Sequence, residues 1–180
     1  MNVRRTTVPA IVAAAAIVAF VPTAGAQTAQ DSGPFVIGSA ANENFVLELE
    51  NGNTADGTRI LAANIDNQKN QQWDLLPQDL TSENEMYQIV SRASTPERQV
   101  CLDRGGSNGE VIGKLCDTEA TTQLWAIEPT TEGTSIVNAD SAEAITFVSD
   151  NGPVRLDQAS AENDRQQWTA TPAPTGLVAG

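Results

Sequence analysis

The sequence predicts an all-β fold of three four-stranded repeats, and three observations carry that expectation. Each of the three tryptophans has a glutamine two residues upstream, in "NQQWDL", "TQLWAI" and "RQQWTA". Along roughly 135 residues, short β-prone runs alternate with Gly, Asn, Asp and Ser, the spelling of short strands joined by tight turns. The same order of segments is written three times.

The first copy is "FVIGSAANENFVLELENGNTADGTRILAANIDNQKNQQWDL", from Phe35 to Leu75. The second opens at "MYQIVS", passes "RQVCLDRGGSNGEVIGKLC" and closes at "TQLWAIEP". The third opens at "TSIVNA", passes "AITFVSDNGPVRLD" and closes at "RQQWTATP". Four strand-like runs in each make twelve strands. Residues i and i+2 of a strand share a face, so Gln71, Trp73 and Leu75 align, as do Gln123, Trp125 and Ile127, and Gln166 with Trp168. A face that holds Trp and Leu is a core face. A glutamine beside them must be hydrogen-bonded, because an unpaired buried amide costs about 1–3 kcal/mol. Gln71, Gln123 and Gln166 are therefore read as clamps on backbone groups of a turn in their own repeat, and Trp73, Trp125 and Trp168 as core filling.

Before the first copy, Arg4 and Arg5, an apolar run from Val8 to Val21 and Ala24-Gly25-Ala26 compose a secretory signal over residues 1–26, too short for a confident membrane span. An N-terminal anchor is the alternative, opposed by the lack of a flanking charge that would stop transfer after Val21. The expected organisation is a signal at 1–26, a lead at 27–33, one domain at 34–170 and an unstructured tail at 171–180. Such a protein is secreted, extracellular, and not inserted in a membrane once the signal is removed. Removal of Arg4 and Arg5 leaves eight of ten basic residues against 23 acidic ones, a net charge of −15. That surface repels phosphate backbones and anionic lipid, which makes nucleic acid a poor partner. Cys101 and Cys116, the two cysteines, stand fifteen positions apart. An oxidising compartment favours their pairing over two free thiols.

The chain has no histidine, which removes histidine-dependent nucleophilic triads and histidine-ligated zinc. No acidic cluster has the ligand spacing of an EF-hand loop, and no motif singles out a catalytic carboxylate pair. Neither an enzyme nor a cofactor or metal site is expected.

Gln-x-Trp three times, "CLD" and "G-E-V" ahead of Cys116, and "NTADGT" after a strand resemble the ricin B-type (QxW)3 lectin-like family. The resemblance covers about residues 34 to 170 and implies a β-trefoil: a six-stranded barrel capped by three hairpins, with galactose-like or other sugars as general ligands. In that family each sugar site combines a carboxylate after the second strand, an aromatic ring a few residues beyond the third strand's Val or Ile, and an Asn before the Gln-x-Trp glutamine. Carried over, copy one has Glu48 and Asn70 with Ala63 at the ring position. Copy two has Asp103, with Lys114 near the ring position and Thr122 for the Asn. Copy three has Val148, Asp157 and Arg165 at the three positions. No copy is complete, and Tyr87 and Phe35 open their copies as strand residues rather than stacking rings.

The resemblance therefore implies a weak carbohydrate-binding module with partly degenerate sites, built on Glu48, Asn70, Asp103 and Lys114, with a glycan or polysaccharide as partner. A stacking-free site binds in the millimolar range, about −4 kcal/mol. The alternative is a trefoil that binds an extracellular protein through exposed loops, as trefoil protease inhibitors do.

Overall fold

In the computed structural model, residues 33–79 and 85–174 are described. The expected signal, the lead up to residue 32 and the tail from 175 lie outside them. Copy one supplies β1 (Phe35–Ser39), β2 (Phe45–Leu49), β3 (Thr58–Asn64) and β4 (Trp73–Asp79). Copy two supplies β5 (Met86–Ser91), β6 (Val100–Asp103), β7 (Ile112–Leu115) and β8 (Trp125–Pro129), and copy three β9 (Thr134–Asn138), β10 (Glu143–Thr146), β11 (Arg155–Gln158) and β12 (Trp168–Pro172).

The first and last strands of each copy pair in turn, β1–β4–β5–β8–β9–β12 and back to β1, always antiparallel. Six strands thus close a barrel, which removes the exposed edges that an open sheet would present. The middle strands form three hairpins, β2–β3, β6–β7 and β10–β11. These hairpins join in a triangle through β3–β7 and the bridges Leu61–Pro153 and Glu110–Arg155. The architecture is a β-trefoil.

Strand register makes the copies equivalent residue by residue. Phe35, Tyr87 and Thr134 pair with Trp73, Trp125 and Trp168, and three residues later Gly38, Val90 and Val137 pair with Val46, Cys101 and Ala144. The three tryptophans are wholly buried and share one core with Leu49, Ile60, Val111 and Val154. Phe45 and Phe147 pack in that core with ring centroids 5.9 Å apart. Cys101 in β6 is bonded to Cys116 just beyond β7, a staple inside copy two.

Two features extend the sequence reading. Asn-Gly stands in every hairpin loop; Asn51, Asn108 and Asn151 all have φ between 53° and 56°, a left-handed conformation that Asn tolerates better than most side chains. The last strand also runs to Pro172, past the expected boundary at 170, because all five of its residues pair with β1 to close the barrel. Ala173 then packs on Val36 and Val46. Among the described residues no helix is long and apolar enough to cross a membrane.

Candidate functional site

Each Gln-x-Trp glutamine does the same work three times. Its Nε2 donates to a carbonyl at the end of the third strand: Asn64 at 2.8 Å, Leu115 at 3.0 Å and Gln158 at 3.0 Å. Its Oε1 accepts from the following turn: Asp66 and Asn67 for Gln71, Asp117 for Gln123 and Ser160 for Gln166. Two residues on, the tryptophan Nε1 donates to a second-strand carbonyl: Leu47 at 3.0 Å, Leu102 at 3.1 Å and Ile145 at 2.9 Å. The clamp on a turn expected from the sequence is present, and it reaches further than the turn. Nε2 also donates to the side chain after that second-strand carbonyl: Glu48 at 2.8 Å, Asp103 at 3.1 Å and Thr146 at 3.0 Å.

This row of acceptors corrects the sequence alignment of copy three. Thr146, not Val148, stands at the carboxylate position, since it follows the carbonyl held by the tryptophan and pairs with Arg155 as Glu48 pairs with Leu61 and Asp103 with Ile112. Val148 lies two residues further on and is exposed. Ala63, Lys114 and Asp157, assigned to the ring position from the sequence, face Val46, Cys101 and Ala144 in equivalent register. None is aromatic, and Ala63 is buried.

The three carboxylate-row residues differ in what surrounds them. Asp103 is 1 % exposed, and besides Gln123 it accepts from the Thr122 hydroxyl at 3.1 Å and the Gly105 N–H at 2.5 Å. The Lys114 ammonium stands 3.9 Å away. Asp103 is thus a filled structural acceptor, and Thr122, at the Asn position of the family pattern, serves it. Thr146 is buried and donates its own proton to the Ala144 carbonyl. Glu48 is only half-buried and uses Oε2 alone; its Oε1 has no partner among the described residues. Glu48 is thus half-committed: Gln71 needs an acceptor inside the fold, and Glu48 supplies it with one oxygen. Asn70 reaches the same corner, donating Nδ2 to the Leu49 carbonyl at 3.3 Å. Its second N–H and its Oδ1 are uncommitted among the described residues. Copy one therefore leaves polar atoms uncommitted on both Glu48 and Asn70 among the described residues, whereas in copy two Thr122 is spent on Asp103.

Six ion pairs engage Arg59, Arg92, Arg98, Arg104, Lys114 and Arg155 with acidic partners. Among the described residues, Lys69 and Arg165 are the basic side chains outside these pairs. The Arg59 guanidinium donates two hydrogen bonds to Glu50, which hold that carboxyl below its usual range against the opposing effect of desolvation, with the guanidinium charge adding to them. The Tyr87 phenol donates to Glu85, and this bond, aided by desolvation, pushes its ionisation up to about 12. Tyr87 is therefore held on the β5 rim by Glu85 rather than presented to a sugar. Among the described residues no three His, Cys, Asp or Glu side chains gather as metal ligands.

No curated protein matches the chain. Among solved structures, the designed three-fold symmetric protein ThreeFoil is similar at 24% identity and TM-score 0.63, over 76% of this chain and 96% of that one. The Rhizoctonia solani agglutinin is similar at 20% identity and TM-score 0.62, over 82% and 99%. The C-half of the earthworm R-type lectin, solved with GalNAc, is similar at 16% identity and TM-score 0.57, over 76% and 95%. The family model for the ricin-type beta-trefoil lectin domain-like proteins matches residues 23–112 and 69–153. With that match across most of the chain, and with every strand pairing of the trefoil in place, the protein belongs to the ricin-type β-trefoil lectin-like family.

Proposed function

We propose that this protein is a secreted carbohydrate-binding module in which copy one keeps a working site, copy two keeps a carboxylate that the fold has absorbed, and copy three has lost the acid. The observation that carries this reading is that Glu48 keeps Oε1 uncommitted among the described residues while Asn70, held on the carbonyl of the next residue, Leu49, keeps an N–H and its Oδ1 uncommitted. A carboxylate oxygen accepts from two sugar hydroxyls, while the amide both donates and accepts. Family membership and lectin neighbours support a sugar as ligand. The N-terminal apolar run and the disulfide support export. Without a ring to stack on the sugar's apolar face, affinity falls in the millimolar range.

The test is an amide chemical-shift titration of the whole chain with GalNAc, galactosides and larger glycans. Saturable shifts are expected around Glu48, Gln71 and Asn70, with none around Thr146. Glu48→Gln keeps an acceptor for Gln71 while removing the charge, and should weaken binding at least tenfold at an unchanged melting temperature. Shifts confined to residues 146–157, or no shifts with any glycan, would overturn the proposal.

A further inference from the structure

A second surface differs among the three copies for a reason unrelated to the carboxylate row. On the outer face of the barrel, where β1 meets β12 and β2, lies a groove of about 420 Å³. Its floor is Val36, Gly38 and Val46, and Ile65 forms a wall. Val36 and Val46 are almost fully covered by their neighbours, whereas Ile65 is 49 % exposed, the most exposed large apolar residue described. The groove exists because position 38 has no side chain. The equivalent residues of copies two and three are Val90 and Val137, and a β-carbon built on Gly38 would meet the Thr169 hydroxyl at an ordinary 3.4 Å. Copies two and three also occupy the Val46–Ile65 site differently: the register places Cys101 and Cys116 there in copy two, joined as the disulfide, and Ala144 and Ala159 there in copy three.

The rim of the groove is acidic. Glu43 and Glu132 border it, and no basic residue lines it. Both are held on short tethered turns. Glu43 sits in the loop closed by Phe45 N–H to the Asn42 carbonyl at 3.0 Å and by Ile65 N–H to the Asn44 carbonyl at 3.1 Å. The Glu132 N–H donates to Gln167 Oε1 at 3.1 Å, and the same oxygen accepts from the Thr130 hydroxyl at 2.9 Å. Gln167, between Gln166 and Trp168, is itself buried.

A trough whose lining mixes apolar and polar side chains, Ile65 and Val36 with Thr169 and Thr171, and whose bordering charges are both carboxylates, matches one ligand chemistry: an alkyl stem with a cationic head. We propose that this groove docks a lysine side chain presented by an extended segment of a partner protein, its methylenes over Val36, Gly38 and Val46 and its ammonium between Glu43 and Glu132. The groove shares no residue with the Glu48 corner, so the two readings stand or fall separately.

The experiment is a shift titration of the whole chain with an acetylated, amidated tetrapeptide carrying one lysine, beside the same peptide with the lysine Nζ-acetylated. Saturable shifts are expected at Gly38, Ile65 and Thr169, with the acetylated peptide at least tenfold weaker and binding reduced by added salt. Gly38→Val, which installs the residue of copies two and three, should abolish the shifts, and Glu43→Gln with Glu132→Gln should weaken them at least tenfold. Glu48→Gln should leave them unchanged. Melting temperatures report whether each variant is folded, and the double Gln variant serves if Gly38→Val is not. Equal binding of the two peptides, or shifts elsewhere only, would overturn the proposal. So would a response only to a glucosamine oligomer or to self-association of the chain.

Discussion

Glu48 and Asp103 occupy one position in two copies of the same repeat, and their surroundings oppose each other. Asp103 is buried, with three donors around it from Gln123, Thr122 and Gly105. Glu48 is half-buried, with one donor, Gln71, and one oxygen left over. The difference begins at the residue before each clamp glutamine. Thr122 turns its hydroxyl onto Asp103, while Asn70 turns its amide away to the Leu49 carbonyl. A carboxylate at a sugar-site position is therefore available for binding only where the fold has not already satisfied it. Asp103, the shorter acid at that position, is the less available of the two.

The largest effect tests whether the copies share an equal foundation beneath this unequal rim. Trp73→Ala, Trp125→Ala and Trp168→Ala should each lower stability by about 3–5 kcal/mol in denaturant unfolding, as expected for a large buried aromatic whose N–H is also bonded. A much smaller loss in one copy would mean that the foundation is unequal as well.

The comparison itself is measured by truncating the two acids. Asp103→Ala strands the Gln123 amide, the Thr122 hydroxyl and the Gly105 N–H, and should cost about 3 kcal/mol, while Glu48→Ala strands one amide N–H and should cost about 1 kcal/mol. Equal losses would break the distinction between a structural acid and an available one.

The smallest effect sharpens the account of the rim. Tyr87 is the one tyrosine of the chain, so its ultraviolet ionisation can be followed directly. In the folded protein it should titrate near pH 12, because its phenol donates to Glu85. Its pKa is raised above the unfolded value near 10, so the neutral phenol's contribution to stability is complete below about pH 10 and is lost as pH rises toward 12. Glu85→Gln should move the titration back toward its ordinary value. A phenol unaffected by that change would be free to face a ligand, contrary to its assignment as a held rim residue.

Much of the fold was legible because period-two patterning and turn residues report local geometry directly. Gln71, Gln123 and Gln166 were readable as clamps because a polar residue on a Trp-bearing face has to be satisfied. Their third contact was not readable. Glu48 lies 23 residues before Gln71, Asp103 20 before Gln123 and Thr146 20 before Gln166, and only strand register brings them together. The expectation of Val148 at the acid position of copy three fails for the same reason: nothing local marks Thr146 as the partner of a distant glutamine. The Asn-Gly dipeptide in each hairpin loop is the local signal that marks equivalent positions in the three copies.

By itself, then, the sequence determined the number of repeats, the twelve strands, the three core tryptophans and the cysteine pair within one copy. Each of these follows from residues near one another in the chain or from a repeated spelling. Only the tertiary structure decided which polar groups remain uncommitted and which outer face is left open. Glu48 keeps an oxygen because Asn70 faces elsewhere, and the open position at Gly38 becomes a groove between β12 and β2, strands from opposite ends of the domain. A side chain's availability depends on every donor and every atom the fold packs around it, and the closure of the barrel, not the order of the residues along the chain, chooses those neighbours.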